Sequence, residues 1–273
     1  MQSVRLIEQW PVDNVAMAVV AADGSVPLSH GDLRREFPLA SVTKLLTAYS
    51  ALIAIEEGVF ELDTPAGPPG STVRDLLSHT SGLAFSQHKV VAEPGNRRLY
   101  SSSGYEQLAD ALTERSGIEF AQYQQEALLT SLGMAATRLE GSPGSGAVSS
   151  VDDLVRFAAE LHRPTLIDKD TLAMATTVVS PGRNGVLPGF GHQKPNDWGL
   201  GFEIRDHKSP HWTGANSSPA TFGHFGQAGT FLWVDPVARL ACIALTDRDF
   251  GPWAVDAWPE FTDAVLADLA EPR

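Results

Sequence analysis

The sequence has a single cysteine and no apolar run long enough to cross a membrane. Cys242 is the only thiol among 273 residues, which excludes a disulfide within the chain. It lies in the apolar run 240–245, where a buried strand thiol is favoured over a nucleophile. No run reaches the roughly 18 apolar residues of a membrane span, and the N-terminus lacks the pattern of a secretion signal. We therefore expect a cytoplasmic protein without a membrane partner.

Basic residues are also scarce. Lys and Arg number 20 against 33 for Asp and Glu, which gives a formal net charge of -13. No general basic field can attract a phosphate backbone or anionic lipid, so we expect no nucleic-acid partner. The hydrophobic content of 43% still leaves room for a sizeable core, as in an ordinary globular protein. The sequence does not indicate an oligomeric state.

Two common catalytic arrangements are missing. The chain has no Gly-x-Ser-x-Gly nucleophile elbow, which removes the simplest esterase with a Ser-His-Asp triad. His207 and His211 are four residues apart, but Pro210 prevents the helix that would align them on a metal ion. We predict no metal site and no cofactor.

The ends of the chain carry the strand signals. The run 15–22 ends at Asp23-Gly24 and predicts a strand that turns into a second strand. Apolar residues recur at helical spacing from 41 to 57, before Gly58, a plausible left-handed cap. Near the C-terminus we predict an antiparallel meander of three strands, at 221–225, 230–234 and 240–246. A closing helix is predicted at 255–269, with Pro259 at its start or at a kink.

The middle of the chain indicates helices and loops. Thr72, Ser103 and Ser150 each lie three residues before a carboxylate and predict helix starts. Between 181 and 218 we expect long surface loops around one strand at 198–204. Together these patterns predict an α+β fold, with an antiparallel sheet domain built from both chain ends (1–62 and 197–273) and an inserted mainly helical domain (63–196). The termini are expected to pack together.

Ser41 and Lys44 form the strongest chemical signal. They lie three residues apart at the opening of a predicted helix, so the Lys44 amine can reach the Ser41 hydroxyl. The helix N-terminus would favour a developing alkoxide through its free N–H groups and partial positive charge. We expect burial to lower the pKa of Lys44, since it has to accept the serine proton. The spacing alone is weak, because a second Ser-x-x-Lys runs from Ser86 to Lys89, without a helical pattern.

Further motifs accompany this pair in a fixed order along the chain. They are Leu76-Leu77-Ser78-His79-Thr80-Ser81-Gly82-Leu83, Tyr100-Ser101-Ser102-Ser103-Gly104-Tyr105, Trp198-Gly199-Leu200-Gly201-Phe202, Phe222-Gly223-His224-Phe225-Gly226-Gln227-Ala228-Gly229-Thr230 and Leu232-Trp233-Val234-Asp235-Pro236. With Ser41 and Lys44, the set resembles the serine β-lactamase and penicillin-binding protein superfamily, in particular its class C branch. That branch includes D-alanyl-D-alanine carboxypeptidases and β-lactamase-like esterases. The likeness covers residues 14 to 270.

The resemblance implies a β-lactamase/transpeptidase-like fold, with the active site in a groove between the sheet and the helical domain. By motif position, Ser41 would be the acylated nucleophile and Lys44 its partner. Tyr100 would shuttle protons to the leaving group and the hydrolytic water. The backbone amides of Ser41 and Gln227 would form the oxyanion hole.

The strand segment His224-Phe225-Gly226 falls where the resembled family carries Lys-Thr-Gly or His-Thr-Gly, which implies that it lines the substrate site. Phe225 replaces a hydroxyl that, in the resembled enzymes, helps bind a substrate carboxylate, and a phenyl ring offers no such hydrogen bond. Ser102 replaces the amide of the usual Tyr-x-Asn and is also expected at the substrate. Both changes disfavour β-lactams and D-alanyl peptides.

Other candidates receive structural interpretations. Glu160 does not match the setting of the class A deacylating base, and we interpret it as solvated on the face of a helix. His79 is interpreted mainly as scaffold at a helix end. Trp198 and Trp212, with Phe225, are candidates for apolar walls around an acyl group.

The leading hypothesis is therefore a serine hydrolase that forms a Ser41 acyl-enzyme with a small ester or related acyl substrate. A β-lactamase or D-alanyl-D-alanine carboxypeptidase is the first alternative. A binding or sensor protein with slow or absent deacylation is the second.

Overall fold

Six strands form the main sheet of the computed structural model, which describes residues 1–270. They are β1 (Val15–Ala21), β2 (Leu28–His30), β8 (Glu203–Ile204), β9 (Phe222–Gly226), β10 (Thr230–Asp235) and β11 (Leu240–Thr246). Their spatial order is β2-β1-β11-β10-β9-β8, and every neighbouring pair is antiparallel. The sheet is thus built from both ends of the chain, as the sequence predicted.

The remaining strands are short. β3 (Glu36–Pro38), β4 (Arg138–Leu139) and β5 (Ala147–Ser150) form a sheet in the order β3-β5-β4, and β6 (Gly185–Leu187) pairs with β7 (Gly191–Gln193) as a hairpin. The helices are α1 (Gln2–Ile7), α2 (Thr43–Glu56), α3 (Val73–Leu77), α4 (Ser102–Ser116), α5 (Phe120–Gln124), α6 (Val151–His162), α7 (Lys169–Ala175) and α8 (Pro252–Asp268). A 3₁₀ turn, Ala40–Val42, precedes α2, and a π-helical segment, Gln125–Thr130, follows α5. The fold is α+β.

The main sheet separates two apolar layers. Successive side chains of a strand point to opposite faces, so Ala18 and Val20 of β1 join the core around α2 and α6, whereas Met17 and Val19 join the core under α1 and α8. The terminal helices also contact each other, and the Ser3 hydroxyl donates to Asp268 Oδ2 over 2.6 Å. The prediction that the termini pack together is confirmed.

Two of the three predicted helix starts are confirmed. Thr72 caps α3 in a reciprocal box with Asp75, and Ser150 caps α6. The prediction at Ser103 is wrong by two residues, because Ser101 is the cap: its extended backbone lets its hydroxyl accept from the Gly104 amide over 3.0 Å.

The segment 181–218 contains more structure than predicted. The β6–β7 hairpin lies where only loops were expected, whereas the strand predicted at 198–204 is reduced to Glu203–Ile204. Gly201 explains this reduction, because its φ of +93° is not that of a strand and its Cα lies against Ala48, where a Cβ would meet the Ala48 Cβ at 2.0 Å.

The closing helix begins earlier than predicted. α8 starts at Pro252, where proline fits the first turn, and continues through Pro259. Cys242 is buried in β11, as expected. Every helix within residues 1–270 is too short or too polar to span a bilayer. The boundaries proposed for the inserted domain stay a prediction.

The prediction for Glu160 is wrong. This carboxylate is only 4% exposed, on the buried face of α6. It accepts hydrogen bonds from the Tyr49 hydroxyl at 2.7 Å and from the amides of Thr165 and Leu166, both at 2.8 Å. A buried carboxylate needs such donors, and here they come from α2 and from the loop after α6, which a helical pattern alone does not reveal.

Candidate active site

Ser41 and Lys44 meet at the start of α2. Ser41 lies in the 3₁₀ turn and Lys44 one turn further along, with its side chain fully buried. Lys44 Nζ is 3.4 Å from Ser41 Oγ, 3.0 Å from Ser102 Oγ and 2.7 Å from the Gly144 carbonyl oxygen. Three oxygens therefore hold the amine beside the serine hydroxyl.

Burial changes the protonation of Lys44. It lowers the pKa of the amine to about 7, against the opposing attraction of Glu106. The described chain provides no ion-pair partner for this amine within 4 Å, because its three hydrogen-bonding neighbours are neutral oxygens. Near neutral pH a substantial fraction of Lys44 is thus an uncharged amine that can accept a proton, as the sequence predicted.

Tyr100, in the segment before α4, lies next to Ser41 and Lys44. Lys44 Nζ lies 4.7 Å from the centre of its ring. Burial raises the pKa of Tyr100 well above its usual value, and the nearby Ser41 hydroxyl offsets only part of the rise. Tyr100 is therefore a neutral phenol at rest, suited to pass on a proton rather than to hold a charge.

His224 fixes the direction of the Tyr100 proton. Its Nδ1 lies 2.6 Å from the Phe225 carbonyl oxygen, which can only accept, so we place the ring proton on Nδ1. Nε2 then accepts from the Tyr100 hydroxyl at 3.2 Å. Burial, together with Lys44, lowers the pKa of His224 to about 3, so the ring is neutral. The position where the resembled family often has lysine carries no positive charge here.

Gly226 brings the end of β9 against the turn before Ser41. A Cβ at this position would lie 2.4 Å from the Leu39 carbonyl oxygen and 2.5 Å from Thr230 Oγ1. The Thr230 hydroxyl donates to that same Leu39 oxygen over 2.8 Å. This close approach sets Gln227, the next residue, beside Ser41 in the wall of one cavity, as an oxyanion hole made of their two amides requires.

The cavity over Ser41 is small and mostly apolar. Its volume is about 140 Å³. Besides Ser41 and Gln227, its lining consists of Tyr100, Glu203 and His224 with the apolar residues Phe85, Val186, Leu187, Pro188, Trp198 and Phe225. It can accept the reacting carbonyl and a short apolar group.

Two residues that the sequence placed near the substrate do not line the cavity. The Ser102 hydroxyl accepts a hydrogen bond from Lys44, and Ser102 does not line the cavity. Trp212 is also absent and packs on Phe225 with ring centres 5.7 Å apart. Phe225 itself lines the cavity but is only 7% exposed, and its ring packs on Phe250 and Trp258 on the other face of the sheet.

His79 supports the tyrosine segment. Its Nδ1 accepts from the Ser101 amide at 3.1 Å, and its ring lies 4.6 Å from that of Tyr100. It does not line the cavity, which agrees with its interpretation as scaffold.

The sequence reasoning missed a buried charged cluster around Glu203. This carboxylate accepts from Lys208 at 3.1 Å, His211 at 3.0 Å and the Trp212 indole at 2.7 Å. Burial alone would raise the pKa of Glu203, but Lys208 and His211 outweigh it and hold the pKa well below its usual value. No motif marks these positions; the only available signal was the unusual proximity of charged residues to an apolar strand.

Comparisons with known proteins agree with this geometry. A family model described as Beta-lactamase matches residues 15–267. The crystal structure of a beta-lactamase from Mycobacterium bovis is 55% identical, with a TM-score of 0.96 over 98% of this chain and 100% of that one. EstCE1, described as a hydrolase with promiscuous acyltransferase activity, shares the fold at 18% identity, with a TM-score of 0.78 over 97% of this chain and 96% of its own.

Curated relatives are more distant. The D-alanyl-D-alanine-carboxypeptidase/endopeptidase AmpH of Escherichia coli is 28% identical over 46% of this chain and 46% of its own length. Penicillin-binding protein 4* of Bacillus subtilis is 24% identical over 62% of this chain and 52% of its own. The chain thus spans about half the length of these two relatives.

Proposed function

The chain belongs to the beta-lactamase family of hydrolases, and on that premise we propose that it cleaves small esters or related acyl compounds through an acyl-enzyme at Ser41. One observation carries the proposal: the buried amine of Lys44, with a pKa of about 7, lies 3.4 Å from Ser41 Oγ. A neutral amine at this distance is the base that a serine nucleophile needs.

In the proposed reaction, Lys44 takes the proton of Ser41 while Oγ attacks the substrate carbonyl. The resulting oxyanion accepts from the amides of Ser41 and Gln227. Collapse breaks the bond to the leaving oxygen, which receives a proton through Tyr100, and Lys44 restores the tyrosine proton. Water then attacks the acyl carbonyl and passes a proton through Tyr100 to Lys44. Collapse breaks the bond to Ser41 Oγ, which takes that proton from Lys44 as the acid leaves.

The small cavity over Ser41 favours an uncharged ester group over a carboxylate beside the reacting carbonyl. His224 is neutral, and Phe225 offers no hydroxyl, so the strand beside the reacting carbonyl has neither the cation nor the donor that would hold a carboxylate there. The apolar lining suits a short acyl chain instead.

Hydrolysis of p-nitrophenyl butyrate tests the proposal. We expect Ser41→Ala to reduce turnover by about three orders of magnitude or more, as loss of a nucleophile does in other serine hydrolases. Ser86→Ala is the matched control, because Ser86 belongs to the second Ser-x-x-Lys and lies in an exposed loop. Equal activity of wild type and Ser41→Ala would refute the assignment.

A β-lactam or a D-alanyl peptide is the second candidate substrate. The names of the relatives favour it, since they include a beta-lactamase at 55% identity and a D-alanyl-D-alanine carboxypeptidase. Turnover of a chromogenic cephalosporin faster than of the butyrate ester would support this candidate. Intact-mass measurement after addition of either compound separates a hydrolase, which releases the acyl group, from a sensor, which keeps a lasting adduct.

A further inference from the structure

A second, larger cavity adjoins the one over Ser41. Its volume is about 860 Å³, and the two cavities share Phe85, Tyr100, Val186 and Pro188 as lining residues. Tyr100 therefore lies between the nucleophile and this larger space. A substrate bound at Ser41 can extend past Tyr100 into it.

The charged residues of this lining are all arginines. Arg97, Arg98 and Arg183 line the cavity, and its lining contains no aspartate or glutamate. This is contrary to the composition of a chain with 33 acidic and 20 basic residues. The cavity is thus a local positive site on an acidic protein, and such a site concentrates anions.

Arg98 is already used by the fold. Its guanidinium donates to the carbonyl oxygens of Ser78, Val179 and Asn196, and the side chain is 2% exposed. It holds three loops together at the floor of the cavity and leaves ligand binding to the other two arginines.

Arg183 and Arg97 are free for a ligand. Within residues 1–270, neither guanidinium forms an ion pair or a hydrogen bond with a carboxylate, and Arg183 Nε is buried without any acceptor. A buried N–H without a partner is unfavourable unless a ligand oxygen supplies one. The planar fork of arginine suits the paired oxygens of a carboxylate or a phosphate.

Tyr100 decides which half of the substrate enters this cavity. In the proposed reaction it passes a proton to the leaving oxygen, so the leaving alcohol lies on its side of the site. The acyl group stays in the small cavity with Ser41 and Gln227. We infer that the larger cavity binds an anionic group on the leaving alcohol, either a carboxylate or a phosphate, and that Arg183 is the main residue that binds it. This inference rests on the proposed ester hydrolysis.

Matched esters test the inference. The butyryl ester of 4-hydroxybenzoate carries the anion, that of 4-hydroxybenzamide is its uncharged counterpart, and 4-(butyryloxy)phenyl phosphate is the phosphate arm. We expect wild type to prefer the anionic esters in kcat/KM by about tenfold or more, the usual effect of a hydrogen bond to a charged group. The more strongly preferred anion identifies the ligand class.

Variants assign the preference to the arginine. We expect Arg183→Met to remove most of the preference and Arg183→Lys to keep part of it, because lysine keeps the charge but not the fork. Arg34→Met is the control that loses the same charge: Arg34 has a 90% exposed side chain and lines neither cavity, so its variant should match wild type.

The outcomes separate the two proposals. Equal kcat/KM for charged and uncharged esters, or a preference that survives in Arg183→Met, would overturn the anion site while leaving the esterase intact. Absence of any ester turnover or Ser41 adduct would instead refute the esterase. In that case, calorimetric titration with the product 4-hydroxybenzoate still shows whether the larger cavity binds an anion. Weaker binding to Arg183→Met than to Arg34→Met supports the anion site, and equal binding excludes it.

Discussion

At Lys44, burial of the side chain both holds the amine beside Ser41 and keeps part of it neutral, as the proposed acylation needs. The amine is a base only when neutral, and its pKa of about 7 means that the neutral fraction rises as pH increases through neutrality. We expect the rate of Ser41 acylation to rise with pH to a plateau with its midpoint near pH 7, rather than near the ordinary lysine value of about 10.4. The burst of p-nitrophenol measured between about pH 5 and pH 9 tests this.

Lys44→Arg is the informative variant for this profile. Arginine keeps a positive charge over the whole range, so it cannot act as the base. We expect the variant to lose the burst at every pH. A wild-type profile without any ionisation below that of free lysine would contradict the assignment.

At Phe225, the departure from the resembled family has a structural reason. The ring packs on Phe250 and Trp258, so we expect Phe225→Thr to lower the free energy of unfolding by about 3 kcal/mol, as for other large-to-small core substitutions. Urea unfolding measures the change. Phe85→Thr is the control, because Phe85 also lines the cavity but is 57% exposed, and it should cost far less. Equal losses in the two variants would contradict this role.

Sequence motifs located the residues of the proposed reaction but not the buried carboxylates. The structure brings Ser41, Lys44 and Tyr100 together, as the resemblance of the ordered motifs to a known family implied. Glu203 and Glu160 could not be found in this way. Their donors come from distant or irregular segments, so only the folded chain brings the charges and their partners together.

At the level of elements, the approach of β9 to the turn before α2 positions the two amides of the proposed oxyanion hole. A Cβ at Gly226 would meet the Leu39 carbonyl oxygen at 2.4 Å and Thr230 Oγ1 at 2.5 Å, and the first of these atoms belongs to the backbone, so the contact cannot be relieved by a side-chain rotation alone. We expect Gly226→Ala to displace the Gln227 amide and reduce kcat by about 10²-fold, the usual effect of losing one oxyanion donor. Steady-state kinetics measure the loss.

Gly251→Ala provides the matched control for this substitution. Its nearest neighbour would lie at 4.0 Å, and its backbone is extended, so alanine fits without strain. The two variants should differ in kcat while both give the circular dichroism spectrum of the wild type. A Gly226→Ala enzyme with unchanged kcat would exclude this role for the glycine.

Element types were easier to predict than their bounds. The meander and α2 follow directly from period-two and helical patterns. The β6–β7 hairpin escaped prediction because its strands have only three residues each, too few to show a period. Gly201 shortened the predicted strand at 198–204 through a contact with α2, and a local pattern does not contain such a contact.

Considered as a whole, the molecule joins its sheet and its helical segment through one apolar layer. Val20 and Ile243 of the sheet belong to the same buried cluster as Leu52 of α2, Leu108 of α4 and Phe157 of α6. The proposed domain boundaries at 62/63 and 196/197 cut through this cluster. The two parts therefore share a core, and neither has an apolar layer of its own on that face of the sheet.

The tryptophans allow a direct test of whether the two parts unfold together. All six, at positions 10, 198, 212, 233, 253 and 258, lie outside residues 63–196, so tryptophan fluorescence reports the sheet part alone. Far-UV circular dichroism also reports α4 and α6 of the inserted segment. Because the core is continuous, we expect both signals to follow a single urea transition with the same midpoint, as a two-state protein does. Separate midpoints would mean that the inserted segment is an independent unit and that the shared layer contributes little to its stability.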